Sequence, residues 1–593
     1  MTLEAGRVRG ARAAVLFGLA AAFVAAVDLV RWVRPALLTD HDPAWALPRL
    51  LLGLFVLASA AAAGALAAGV FFLARRFLGV APAPLPLSGA ALVFLAAAAI
   101  AGGAALRFAA LDRIPSSLWI DDVSLIEPAL ALSGSPRDFA DAIRPAPFGV
   151  PKAYGSVGVL YLELYRAALL LFGTNVFGVR FVSAAAGAIS IVTAMLLARA
   201  LLPRGGGALA ALVFAGLRWS LLLSRWGWNA VVLGPIVDIA ALLLVGARRR
   251  NSWFLGLLAG LAAGLAAHVY LAAWVAGAAL LLFAAWPAGE AARWRPRILL
   301  ALVFAAGFAV AAAPIFLLAR GRAAPYFARA QDHSLLREIG YARSPMPGLA
   351  AAADSLVAPW FKEDPHPGQD LPGKNRLGWI LGIPVAFALL RSLLRPAEDF
   401  SAYLLSQAGA ALAASIAGGH AGVPNGYRFA YLATPAAVAA AGGVLCLLAL
   451  VQARRRRAAA LAAVGVIAIG GALSARDALL EWPQRQETFD GFHGQDTLLA
   501  RSALRWERYG TVEMDPGLGH SPITIGAIRR YRLDPDAAPA TASSAVPSRR
   551  NIRIAPPGAL PGPREHAVER VRDAWGREWG VVIAKSGARS PRS

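Results

Sequence analysis

Two adjacent acids, Asp121 and Asp122, stand in the stretch LDRIPSSLWIDDVSLIEPALALSG, eleven residues past an apolar run that ends near 110. Neighbouring carboxylates divide roles readily: one accepts a proton from an acceptor hydroxyl while the other orients it or holds a metal. The same residues suit a helix start, because Asp caps N-termini and Ser124-Leu125-Ile126-Glu127 has the form of a capping box. The two uses are compatible. The eight histidines show no i, i+4 pairing and no metal motif, and His268 beside Tyr270 reads as a packing or interfacial residue. Lone Cys446 lies inside VLCLLALV, so neither a disulfide framework nor a thiolate metal site is expected.

What must position those acids is a membrane. The chain has 593 residues, 58% of them hydrophobic and only 16% charged, and its mean hydropathy is +0.57. Soluble domains sit near half apolar and about a quarter charged, so an ordinary soluble protein is excluded. The net charge of +23 suggests nucleic acid, but its placement argues otherwise. Arg248-Arg249-Arg250 and Arg454-Arg455-Arg456-Arg457 abut apolar segments, as basic residues do on the cytoplasmic side of a span. No nucleic-acid partner is expected. Richness in Ala, Arg and Gly with little Lys suggests GC-rich coding and a bacterial source.

Apolar stretches of spanning length fall near 11–33, 49–75, 88–110, 177–202, 206–223, 229–247, 253–269, 270–287, 297–319, 377–395, 400–418, 427–451 and 457–475. They predict a mainly α, polytopic transmembrane helical bundle of about 13 spans with a small mixed α/β C-terminal tail. The segment 154–173 carries Glu163 and Arg166 and suits an interfacial helix. With the N-terminus inside, every short, strongly basic loop falls on the cytoplasmic side. The loops 111–176 and 320–376 and the tail 476–593 then share the outer face. The tail reads as an amphipathic helix around Asp496–Tyr509, strand-like runs at Ile523–Ile528 and Val581–Ala584, and a flexible stretch at Ala537–Arg550. Residues 1–85 form an added helix pair, 86–475 the core, and 476–593 an extracytoplasmic appendage. Arg218 and Asp238 lie within spans on successive antiparallel helices, so an ion pair between them is expected.

SLWIDDVSLIEPALAL resembles the first-loop signature of the C-type membrane glycosyltransferases (GT-C), in the branch of the protein O-mannosyltransferases and lipid A aminoarabinose transferases. That signature usually reads Asp-Glu where this chain has Asp-Asp. YGSVGVLYLELYRAALLLFGTNVFGVRFVSAAAGAISIVTAMLLARAL is similar to the amphipathic helix, Leu-Phe-Gly turn and Arg-bearing span that follow it in the family. LLLSRWGWN resembles a Ser-Arg pair at a second outer loop, EDPHPGQDLPGKNRLGWILGIPVAFALL a long-loop signature, and PNGYRFAYLATP a late short-loop motif. The resemblance runs in order from about 86 to 475, and glycosyltransferase family 39 is the nearest kin it suggests.

That resemblance implies sugar transfer from a polyprenyl-phosphate sugar to a protein, lipid or polysaccharide acceptor on the extracytoplasmic face of a bacterial inner membrane, with inversion. It implies Asp121 as general base and Asp122 as its support, with Lys152, Arg225 and Arg428 facing the donor phosphate. Many relatives place a second acid in the Ser-Arg loop, where this chain has Asn229. Either Asn229 serves as a neutral positioning group, or Glu127 or Asp364 supplies the acid. Whether a divalent metal takes part stays open. The rival reading is a transporter or flippase of lipid-linked glycans. Such proteins tend to show repeated halves and interrupted midplane helices, and this sequence shows neither clearly.

Overall fold

The computed structural model describes residues 79–132, 158–287, 294–318, 369–371, 373–417, 428–507, 509–518, 521–534, 551–562 and 565–585. The expected spans at 11–33 and 49–75, the stretch Ala537–Arg550, and the candidates Lys152 and Asp364 lie outside the described residues.

The chain is mainly helical. Among the described residues six helices are long and apolar enough to cross a membrane, or seven if Gly378–Leu394 and Asp399–Ser415, bent by 108°, form one broken span. This is a multi-pass membrane protein. The count of thirteen is not reached, partly because several apolar runs are broken. The run 206–223 divides at Leu217, whose ψ of 104° ends Gly206–Gly216 before the short helix Arg218–Leu223 starts. The runs 253–269 and 270–287 form helices of 14 and 13 residues, Trp253–Ala266 and Ala273–Ala285. At 1.5 Å per residue each is about 20 Å long, short of the roughly 30 Å hydrocarbon core. The segment read as interfacial is the 14-residue helix Val159–Phe172.

Small residues allow close helix crossings. A Cβ at Gly260 would lie 2.1 Å from the Phe304 carbonyl oxygen, and one at Gly307 2.5 Å from that of Leu257. Apolar helices in lipid gain little from hydrophobicity, so such backbone approach supplies their contact.

The break between Trp253–Ala266 and Ala273–Ala285 exposes main-chain acceptors that need partners in an apolar setting. Leu160 N donates to the His268 carbonyl oxygen (3.1 Å), and Asn229 Nδ2 to that of Val269 (2.9 Å).

The predicted Arg218–Asp238 pair does not form. Arg218 Nε meets Asp370 Oδ1 at 2.9 Å and its Nη1 lies 3.7 Å from Asp477 Oδ2. Asp238 Oδ2 instead accepts hydrogen bonds from the Thr193 and Thr434 hydroxyls at 2.5 and 2.7 Å. Arg218 stands at the very start of its short helix, where segments 369–376 and 477–485 can reach it. Asp238 lies well inside the 22-residue helix Asn229–Arg250.

After the helix Arg456–Arg476 and the π-turn Asp477–Glu481, the chain forms helices Gln486–Gly491, Gly494–Trp506 and Pro522–Tyr531. Strands β1 (Thr511–Met514), β2 (Asn551–Ala555), β3 (Glu565–Arg572) and β4 (Glu578–Lys585) make one sheet in the order β1-β2-β4-β3. β1 and β2 run parallel with Thr511 opposite Asn551. β2 and β3 are antiparallel to β4, with Ile552 and His566 both opposite Ala584.

Val581–Ala584 is strand as read, but Ile523–Ile528 is helix. Ser521 caps it by accepting from Thr524 N, Pro522 occupies its first turn, and Ile525 and Ile528 are buried three residues apart. One apolar core runs from the membrane helices into this unit, through Trp482, Phe492, Leu499 and Val582.

Candidate active site

The acid pair opens the helix Ile120–Ser124, capped by Trp119. Its two members differ sharply in surroundings. Asp122 is fully buried. Its Oδ2 accepts from Trp119 N (3.1 Å) and its Oδ1 from Gly227 N (2.8 Å). A Cβ at Gly227 would lie 2.8 Å from the Val179 carbonyl oxygen and 3.3 Å from Asp122 Oδ1, so only glycine lets the backbone approach this closely. The Tyr165 hydroxyl donates to the Asp122 carbonyl oxygen at 2.5 Å. Burial pushes the Asp122 carboxyl up to about 6, while the Arg180 charge and the two backbone N–H donors pull it down. Asp121 is half-buried, and the indole Nε1 of Trp119 donates to its Oδ2 at 2.8 Å.

The wall around the pair comes from three parts of the sequence. The Trp119 ring packs edge-on to Trp226 and Phe492, with centroids 6.5 and 6.1 Å away, and lies 5.3 Å from His493. Phe492 is itself wedged against Trp226 and Trp482. Leu118 N donates to the Thr497 hydroxyl at 3.0 Å, so the segment beyond the last membrane helix holds the acid loop. Sequence reading missed Trp119, Gly227, Phe492, His493 and Thr497 as parts of this site. The Trp226-Gly227-Trp228 and Phe492-His493 groupings are the signals that mark them.

Of the predicted cations, Arg225 is engaged by the main chain. Arg225 directs its guanidinium at the carbonyl oxygens that end the helix Gly89–Phe108 and the turn after it. Nη1 donates to Leu106 (2.7 Å) and Nη2 to Ala109 (2.5 Å). That geometry caps the end of the helix. Arg180 similarly donates to the carbonyls of Leu111, Pro115 and Ser117 at 2.7–3.0 Å. Arg428 stands half-buried just before the turn Ala430–Leu432, which packs on the helix that Asn229 begins.

The remaining candidates are dispersed. Glu127 is an exposed residue 3.2 Å from Arg530 in the C-terminal unit. Asn229 is committed to the Val269 carbonyl, which makes it a structural tie between helices. His268 is buried and its Nε2 donates to the Ala311 carbonyl oxygen at 2.8 Å, a packing role. Among the described residues no three His, Cys, Asp or Glu side chains gather as a metal site.

Residues 159–316 match the family described as dolichyl-phosphate-mannose-protein mannosyltransferase. The match begins past the acid loop and covers the helices around Arg180, Arg225 and Asn229. No curated protein matches the chain. Among solved structures, ArnT from Cupriavidus metallidurans, bound to undecaprenyl phosphate, is similar at 15% identity. That similarity covers 86% of this chain and 100% of ArnT, with a TM-score of 0.43. The Archaeoglobus fulgidus oligosaccharyltransferase AglB, in complex with an inhibitory peptide and a dolichol-phosphate, is 17% identical with a TM-score of 0.43. There 65% of this chain is covered, and the chain spans only 56% of AglB. Over its central helices, residues 159–316, the chain is thus similar to the dolichyl-phosphate-mannose-protein mannosyltransferases.

Proposed function

We propose that this protein transfers a sugar from a polyprenyl-phosphate donor to an acceptor hydroxyl or amine on the extracytoplasmic face of a bacterial inner membrane, with inversion. The observation that carries the reading is Asp121, a half-buried carboxylate held by an indole N–H beside a buried partner acid, close to the end of a membrane helix. A lipid-linked donor brings its phosphate to headgroup height, where such a loop can meet it. Asp121 takes the acceptor proton as the acceptor attacks the anomeric carbon. The bond from that carbon to the phosphate oxygen breaks, and the lipid phosphate departs as an anion. Asp122 fixes the loop through its two main-chain hydrogen bonds and stays out of the proton transfer. Arg428, just before a turn that packs on the helix Asn229–Arg250, supplies positive charge to the leaving phosphate, and Lys152 adds to that charge. The family name attached to residues 159–316 supports the donor class.

The test is a transfer assay in proteoliposomes with radiolabelled polyprenyl-phosphate sugars. Asp121→Asn keeps size and capping ability, so folding survives while transfer falls by about 10²–10⁴-fold, the usual effect of losing a general base. Full transfer by a folded Asp121→Asn protein sinks the assignment. Donor translocation without any transfer makes the protein a flippase instead.

A further inference from the structure

We infer that Trp119 is a positioning residue that aims the Asp121 carboxylate, and that the segment after the last membrane helix serves the site by holding the Trp119 ring. The inference rests on the reading of Asp121 as base. Trp119 touches both acids, in different ways. Its backbone N–H binds Asp122 Oδ2 at 3.1 Å, while its indole Nε1 binds Asp121 Oδ2 at 2.8 Å. Adjacent carboxylates repel, and an aspartate on a surface loop turns easily about its side-chain bonds. A donor on a rigid ring fixes one oxygen and with it the plane of the carboxylate.

The ring can do so only if it is itself immobile. Trp226 comes from the loop between Arg218–Leu223 and Asn229–Arg250, and Phe492 and His493 from beyond residue 482; these three pack on it at centroid distances of 5.3–6.5 Å. Phe492 is 1% exposed and braced by Trp482, which is fully buried. Next to this clamp, Thr497 holds the backbone of Leu118. Misplacing a reacting group by about 1 Å can cost on the order of 10²-fold in rate, so a clamp on the base has kinetic consequences.

The experiment replaces Trp119 site-specifically with two analogues of nearly equal shape. 5-Fluorotryptophan keeps the N–H, and benzothienylalanine substitutes sulfur for it. The fluorinated protein is expected to turn over normally. The sulfur analogue is expected to lose about 10- to 100-fold in kcat, the range for a hydrogen bond to a charged group, with the donor KM unchanged. Phe492→Leu, which loosens the ring without removing the donor, should show a smaller loss of the same kind. In an Asp121→Asn background the sulfur analogue should cause no further loss, because Trp119 acts through Asp121.

An unchanged kcat for the sulfur analogue, a change confined to KM, or failure of that variant alone to fold would each overturn the positioning role. Loss of activity in Asp121→Asn but not in the sulfur analogue overturns this inference and leaves the base in place. Full activity in Asp121→Asn removes the base and the positioning role together.

Discussion

Two groups of charged side chains gather around the short helix Arg218–Leu223, and they are satisfied in opposite ways. On the acid-loop side, Asp122, Arg180 and Arg225 find their partners in the main chain: backbone N–H groups for the acid and carbonyl oxygens for the arginines. On the other side, charges meet charges. Arg218 pairs with Asp370 and approaches Asp477, Lys374 bridges Asp477 and Glu481 at 2.8 and 3.1 Å, and Arg485 closes on Glu481. The main-chain solution shapes a loop, and its opposite charges, Asp122 and Arg180, act on each other without a direct ion pair. The side-chain solution joins three segments far apart in sequence and suits a brace.

The contrast breaks first at Arg218. Arg218→Gln leaves Asp370 and Asp477 without their guanidinium, and loss of one partner of a buried pair costs about 3–5 kcal/mol. Thermal unfolding in detergent should show it, and adding Asp370→Asn should recover part of the loss. Strictly additive effects in that cycle would dissolve the brace.

Arg225 sharpens the comparison. Its fork serves carbonyl oxygens, so shape matters and charge alone does not suffice. Arg225→Lys should destabilise nearly as much as Arg225→Gln, by about 1–3 kcal/mol. If lysine restores stability and donor affinity, charge is what the position requires, and a phosphate-binding role returns.

Asp122 adds a pH dependence of similar size. Its carboxyl sits at about 6 in the fold against an ordinary value of 3.8. A raised value means the fold binds the proton more tightly than the unfolded chain does. This contribution is therefore complete below about pH 3.8 and is lost as pH rises through about 6. Unfolding midpoints measured from pH 4 to pH 7 should show that slope in the native protein, on the order of 1–3 kcal/mol overall. Asp122→Asn should flatten it, at a lower stability overall because one backbone N–H then faces an amide that cannot accept. Equal slopes in both proteins would assign the pH dependence to other groups.

Much of the bundle was legible because the runs near 88–110, 177–202 and 229–247 are uniformly apolar, and nothing competes with helix there. The acid loop was legible by position, and Asp121 and Asp122 carry unequal surroundings. What sequence reading got wrong follows a pattern. Arg218 and Asp238 were paired because they sit on successive helices, yet their partners come from residues 370 and 477, and from 193 and 434. Charge partners in a helical bundle are chosen by depth and facing, which apolar periodicity does not encode. Arg225 and Asn229 drew functional readings because polar residues beside spans invite them; in the fold Arg225 caps the helix Gly89–Phe108 and Asn229 ties the break before Ala273–Ala285. The strand reading of Ile523–Ile528 ignored the Ser-Pro start that fixes a helix.

The clamp on Trp119 also has a bearing on biogenesis. Phe492, His493 and Thr497 follow every membrane helix among the described residues, so the acid loop, made early, lacks these supports until the ribosome has passed residue 497. The helices can insert and pack one after another during synthesis while the loop bearing Asp121 waits for the C-terminal unit to fold against it. Completion of the site is thereby tied to synthesis of the segment from 482 to 497, and a chain that stalls before residue 482 lacks the clamp.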